Sequence, residues 1–311
     1  VLRTGDAYRA LFGRLSSDML TGDLRVIRAA RPALLAALAQ DWNGPLIYIT
    51  ARVDRAYNVS EQLPVWLGER AILRFAEPAP LFYDRAPWGE TAIRNRITTL
   101  AALLPPDDFE HSDAAPVIVT SARALMQRTL PVSAFRKAML ALRPGQRHAL
   151  DRLLTHLLRV GYDSASLVTA PGMFSRRGGI VDIFPTAAQM PVRIEFFDDE
   201  IDSLRLFDPA TQRSTDRVPV VVVTPAREAL PDHTPAVAPH LRPWLESLPV
   251  GDDVTSPRPD LESLANGIAF PYLEHYVPYL YPNPVSLLDY APDNTLFVVD
   301  DWAELRDTIA G

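Results

Sequence analysis

In the first 130 residues, short β-rich apolar runs alternate with stretches of helical periodicity, and few folds accept that order. The runs are 24–29 (LRVIRA), 45–50 (PLIYIT), 71–76 (AILRFA) and 116–120 (PVIVT). Between them, 32–42 reads as a helix opened by Pro32 and closed by Asn43-Gly44, and 53–67 and 91–104 read as helices too. A further helical stretch, SARALMQRTL, follows the fourth run directly. Strands that are apolar throughout suit a parallel sheet buried on both sides, and strand-helix repetition builds such a sheet with helices on both faces.

The texture changes near Pro131. Helices are predicted over 134–142 and 146–160, and the chain then turns to strands of alternating polarity. Beyond Pro219 the run VVVVT returns to the buried style, as though the chain re-entered its first sheet. The tail is proline-rich, with loops, a short helix over 261–265 and a closing strand at 295–300 that runs into a helix. Three segments follow: 1–130, a small domain at 131–218, and a return segment at 219–311 that completes the first sheet.

Composition narrows the function classes. With 48% apolar and 22% charged residues the chain is an ordinary globular protein. No apolar run approaches the roughly 20 residues of a membrane helix, and the first residues lack a signal-peptide plan, so a cytoplasmic protein is expected. The absence of cysteine excludes disulfides and thiolate metal sites. The histidines at 111, 148, 156, 233, 240 and 275 are scattered, and no third ligand stands near His148 and His156, so no metal is expected. Arg and Lys number 15 against 14 acids in 1–130, 12 against 10 in 131–218, and 4 against 14 in 219–311. The last third repels nucleic acid, and the middle is weakly cationic.

A phosphate-binding turn needs glycines that expose backbone amides and a lysine that reaches the terminal phosphate. The turn Arg28-Ala29-Ala30-Arg31-Pro32 has neither, and Pro32 removes an amide donor. ATP is therefore not expected to bind there, and no cofactor is expected. Phe297-Val298-Val299-Asp300-Asp301 resembles the apolar strand ending in acids that holds magnesium in ATPases, although Asp301 also suits a helix cap. The acid pairs at 107–108, 198–199 and 252–253 read as turns.

The segment 174–213 is more specific. Gly178 and Gly179 open a strand that Pro185 ends, Val192 begins a second strand reaching Phe197, and Asp198-Asp199 turns the chain into a third at 201–207. With a period of two, Val192, Ile194 and Phe196 form the core face, while Arg193, Glu195 and Phe197 face the other way. Periodicity leaves two readings of Phe197 open: an interface aromatic beside an arginine, or a ring covered by a loop or helix.

The same segment resembles the UvrB homology region of the transcription-repair coupling factor family. The resemblance rests on Arg177-Gly178, on Asp182-Ile183-Phe184-Pro185, on the unbroken run from Arg193 to Arg205 (RIEFFDDEIDSLR), and on Phe207-Asp208. Fainter echoes stand at 81–85 (LFYDR), 119–128, 281–284 and 287–290. It implies a degenerate RecA-like (P-loop NTPase-like) parallel sheet in two chain segments, interrupted by a small α+β domain that binds the excinuclease component UvrA. It also implies a non-catalytic N-terminal module that recruits UvrA to stalled RNA polymerase in nucleotide excision repair, with the DNA translocase motor and the polymerase-binding part outside this chain. Matched residue by residue, the UvrA-contacting positions are Arg177, Arg193 and Phe197. Replacement of Phe197 or Arg193 by alanine is expected to weaken UvrA binding while unfolding stays near wild type. UvrB itself has an intact phosphate loop and an aromatic DNA-gripping hairpin that this chain lacks. Two competing readings are an ATP-dependent helicase or UvrB-like damage-binding domain using Asp300-Asp301, and direct DNA binding by the weakly cationic middle.

Overall fold

Sheet membership divides the chain differently from the order of its strands. The computed structural model describes residues 2–15, 17, 24–78, 86–104, 115–248 and 258–310. The motif at 81–85, His111 and the acid pairs 107–108 and 252–253 lie outside the described residues. In chain order the strands are β1 (Leu46–Thr50), β2 (Ile72–Phe75), β3 (Val117–Ser121), β4 (Leu140–Leu142), β5 (Asp163–Ser164), β6 (Met173–Arg177), β7 (Ile180–Ile183), β8 (Val192–Phe197), β9 (Glu200–Phe207), β10 (Ser214–Arg217), β11 (Val221–Val223) and β12 (Leu296–Asp300). Two compact units result, Val1–Phe75 with Asp108–Ala124 and Ala291–Gly311, and Ala76–Asp107 with Leu125–Tyr290.

The first unit is a four-stranded parallel sheet in the order β12-β1-β3-β2. Every residue of β1 and β3 is buried, which is why both read as unbroken apolar runs. On one face Leu46, Tyr48, Val117, Val119 and Leu296 pack with Leu35 and Leu38 of helix Arg31–Asp41 and with Val59 of helix Val53–Gln62. The starts of β1 and β12 are tied by Trp42, whose indole donates to the Asn294 carbonyl at 2.7 Å, and by the Asn294 amide, which donates to the Asn43 carbonyl at 2.9 Å. Gly44 is required there, because a Cβ would stand 2.3 Å from the Asn294 carbonyl oxygen.

Three expectations change in this unit. Residues 24–27 are not a strand; Ile27 is 76% exposed, and the chain passes through the turn Arg28–Ala30 into its helix. The long helix expected at 53–67 is two, Val53–Gln62 and Pro64–Leu67, because Pro64 lacks an amide to continue the ladder. The chain does not return to the sheet at Pro219: β11 runs antiparallel to β4, and β12 makes the return.

The second unit centres on a six-stranded sheet, β10-β9-β8-β7-β6-β5, whose β6 to β10 are antiparallel neighbours. Val181, Ile194 and Leu204 stand in one cross-strand row and are buried. Helix Leu150–Arg159 buries Leu153 and Leu157. The tail, expected as loops, holds the helix Thr234–Ser247. Pro235, Pro239 and Pro243 recur there every four residues, so their missing amides fall on one stripe, while Ala238, Leu241 and Leu245 bury another. Two ion pairs lie deep in this unit, Arg96 with Glu228 and Arg227 with Glu274. Among the described residues no helix is long and apolar enough to cross a membrane, and no group of His, Asp and Glu could hold a metal ion. His156 instead contacts the Ala138 carbonyl at 3.1 Å.

Candidate protein-docking face

Two hairpins bring the sequence-predicted residues to one end of the six-stranded sheet. The β6–β7 turn is Gly178-Gly179, with Arg177 opposite Ile180, and the β8–β9 turn is Asp198-Asp199, with Phe197 opposite Glu200. Gly178 has φ +60°, and a Cβ on Gly179 would lie 3.1 Å from the Phe196 carbonyl oxygen, so the first turn needs its glycines. The pairing rows Arg177–Ile180–Glu195 and Ser175–Asp182–Arg193 put Arg177, Arg193 and Glu195 on one face of the sheet. Phe197, two residues beyond Glu195, extends that face to the hairpin tip. The one bulge near this end adds a residue to β9, and β8 keeps its alternation.

Phe197 is 81% exposed, so no loop or helix among the described residues covers it. Arg177 is exposed as well and holds only a 3.4 Å hydrogen bond from Nη2 to the Ser166 carbonyl. Arg193 is different. Its guanidinium donates to both oxygens of the buried Asp182 at 2.7 and 2.8 Å, reaches the Ser214 hydroxyl at 3.3 Å, and lies 5.1 Å from the centre of the Phe207 ring. The Asp182 carboxylate holds the Arg193 proton more tightly than usual. Arg193 is thus a half-buried structural cation at the inner border of the face, whereas Arg177 and Phe197 are exposed at its rim. Sequence reasoning missed Asp182, since the β7–β8 register follows a loop that no local pattern encodes.

The second sequence-predicted region lies in the parallel sheet. Arg28, Arg31, Tyr48, Arg55, Asn58 and Asp300 line a pocket of about 140 Å³ at the carboxyl ends of β1 and β12. Asp300, 4% exposed, is paired with Arg31 and, at 3.2 Å, with Arg55, which also meets Glu304 at 2.7 Å. Burial pushes the Tyr48 phenol up from its usual range. Asp301 has φ +60°, and its carboxylate accepts the Glu304 amide at 3.3 Å, capping helix Trp302–Ala310.

Residues 140–228 match the model of the UvrB interaction domain. Over nearly the whole chain, similarity runs to proteins named transcription-repair-coupling factor. The identity is 30% over 289 residues to that of Bacillus subtilis, covering 90% of this chain and 24% of the relative. It is 29% over 271 residues to that of Escherichia coli, covering 87% and 23%, and 33% over 296 residues to that of Mycobacterium bovis, covering 93% and 23%. This chain is a homologue of the transcription-repair coupling factors. It spans about a quarter of the length of these relatives.

Within this transcription-repair coupling factor homologue, the UvrB interaction domain begins at β4 and closes just after β11. These two strands pair with each other, zipping the chain together where it enters and leaves the domain, which is why 221–223 is not in the first sheet. The last two matched residues, Arg227 and Glu228, are the partners of the two buried ion pairs. Arg177, Arg193 and Phe197 all fall inside the matched segment.

Proposed function

We propose that this chain is a non-catalytic docking module that recruits UvrA to stalled RNA polymerase in nucleotide excision repair, through Arg177, Arg193 and Phe197. One observation carries the reading: an aromatic ring left 81% exposed at the hairpin tip of a sheet face that also presents an exposed arginine, in a segment matching the UvrB interaction domain. Exposed aromatics with neighbouring arginines are the residue types that dominate protein interfaces. The parallel sheet, which β12 joins from far along the chain, fits a degenerate RecA-like domain as scaffold. That Asp300 is engaged by Arg31 and Arg55 supports a module without ATP chemistry, since a carboxylate holding magnesium needs its oxygens free. Contacts to RNA polymerase and DNA belong, on this reading, to parts outside this chain, and the role is cytoplasmic. The test is titration of UvrA into the chain and its Phe197→Ala variant by calorimetry. Wild type is expected to bind, and the variant to lose about 2 kcal/mol or more of affinity. Equal affinity of the two removes Phe197 from the site.

A further inference from the structure

The register of the six-stranded sheet sets three arginines directly opposite one another on adjacent strands. Arg193 on β8 pairs with Arg205 on β9, and Arg205 with Arg217 on β10, which an irregularity between Ser214 and Arg217 brings into this position. Opposed residues of an antiparallel pair have Cβ atoms about 4.5–5.5 Å apart, and like charges so placed destabilise the sheet. Asp182 compensates Arg193. Arg205 is half-buried and Arg217 exposed, and neither meets a carboxylate among the described residues.

This row belongs to the face that carries Phe197, since Arg193, Glu195 and Phe197 alternate along one regular strand. β10 is an edge strand, where charge alone can be explained as protection against edge-to-edge pairing. Arg205 is not on the edge, so that explanation does not reach it. An uncompensated pair of arginines kept opposite each other on two adjacent strands is a departure from local consistency, of the kind that concentrates at binding sites.

We propose that Arg205 and Arg217, beside Arg193, are the cationic half of the docking surface and receive a strip of carboxylates on the partner protein. The inference rests on the docking reading above and extends it towards β10. Guanidinium forks match carboxylates in bidentate geometry. A nucleic-acid backbone fits less well, because Glu195, fixed by the Ser203 hydroxyl at 2.6 Å, stands on the same face and repels phosphate. A folded partner can set a cation against it.

The experiment uses the 311-residue chain, its Arg205→Gln, Arg217→Gln and double variants, and Phe197→Ala as reference. Each is titrated with UvrA over a salt series and melted alone in the same buffers. The double variant is expected to bind about tenfold more weakly or worse at low salt, with a flatter salt dependence. Melted alone, Arg205→Gln is expected to match or exceed wild type at low salt, with the gain fading as salt rises. If the double variant keeps wild-type affinity and salt slope while Phe197→Ala binds weakly, the arginine row is overturned and the docking reading stands. If wild type does not bind, or Phe197→Ala binds as wild type, the docking reading fails and this inference with it. Melting of Arg205→Gln below wild type would mark the row as structural and overturn the proposal. So would a duplex-DNA mobility shift of wild type that the double variant loses, which would assign the row to nucleic acid.

Discussion

The guanidinium of Arg193 on β8 is bound through Nε and Nη2 to the two carboxylate oxygens of Asp182 on β7, at 2.7 and 2.8 Å. Asp182 is 2% exposed and depends on this partner for charge compensation. Removing one member of a pair buried to this degree costs about 2–4 kcal/mol, because the other charge stays behind. Arg193→Ala is therefore expected to lower the urea midpoint strongly, which revises the expectation that its unfolding stays near wild type. Phe197→Ala should stay within about 0.5 kcal/mol of wild type, as its ring rests in solvent. Equal midpoints for the two variants would show that the pair does not hold the sheet.

The two hairpin turns at this end of the six-stranded sheet should respond to substitution with opposite signs. Gly178 has φ +60°, free of cost for glycine, so Gly178→Ala should destabilise by about 1 kcal/mol. Asp198 has φ +57° and pays for it with a side chain that gains little there. Asp198→Gly should stabilise by about 0.5 kcal/mol, the relief of left-handed strain less the extra freedom of the unfolded chain. Chemical denaturation of both variants checks the pair of signs, and a loss of stability in Asp198→Gly would count against strain at that turn.

Much of the hairpin end of the six-stranded sheet was legible in the sequence, and the reason is local. Parity along β8 needs only a period of two, and it put Phe197 on the face opposite the fully buried Ile194, while leaving open whether the ring was covered; the ring is exposed. The pairing Arg193–Asp182 and the row through Arg205 and Arg217 depend on register between strands joined by loops, and irregularities opposite Glu195–Phe196 in β9 and between Ser214 and Arg217 in β10 shift the register of the row. No periodicity carries such information. The run at 24–29 has strand composition, yet its Leu24 and Ile27 face solvent, since composition cannot say whether a neighbouring strand is present. Helix Thr234–Ser247 was hidden for the opposite reason: its prolines argue locally for loop, and tertiary burial of Leu241 and Leu245 overrides them.

Glu274 should give this protein a stability term that weakens towards neutral pH. Its carboxylate is 1% exposed and lies 2.9 Å from the Arg227 guanidinium, without the direction of a hydrogen bond. Burial raises its pKa above the ordinary range; Arg227 lowers it, and the Glu228 and Asp163 carboxylates raise it further. A raised folded pKa contributes stability that is complete below the unfolded value of about 4.3 and is lost as pH rises through the folded one. The stability of wild type relative to Glu274→Gln should therefore fall as pH climbs from the acid side to neutrality. Urea unfolding of both proteins across that interval checks the slope, and a constant difference would mean that Glu274 stays charged in the folded protein throughout.

Asp300 is a structural tie within the parallel sheet. It ends β12, the last strand to join the sheet, and its two oxygens engage Arg31 from the helix Arg31–Asp41 and Arg55 from the helix Val53–Gln62. One buried carboxylate thus ties the returning strand to both helices. Asp300→Ala leaves Arg31 and Arg55 with Glu304 as the one remaining ion-pair partner among the described residues, and should cost about 3 kcal/mol. Magnesium and ATP should give no saturable heat with wild type, because binding at this pocket has to break the ties that hold β12. If Mg-ATP binds and raises the melting temperature of wild type but not of Asp300→Ala, Asp300 is a magnesium ligand and the scaffold reading is lost.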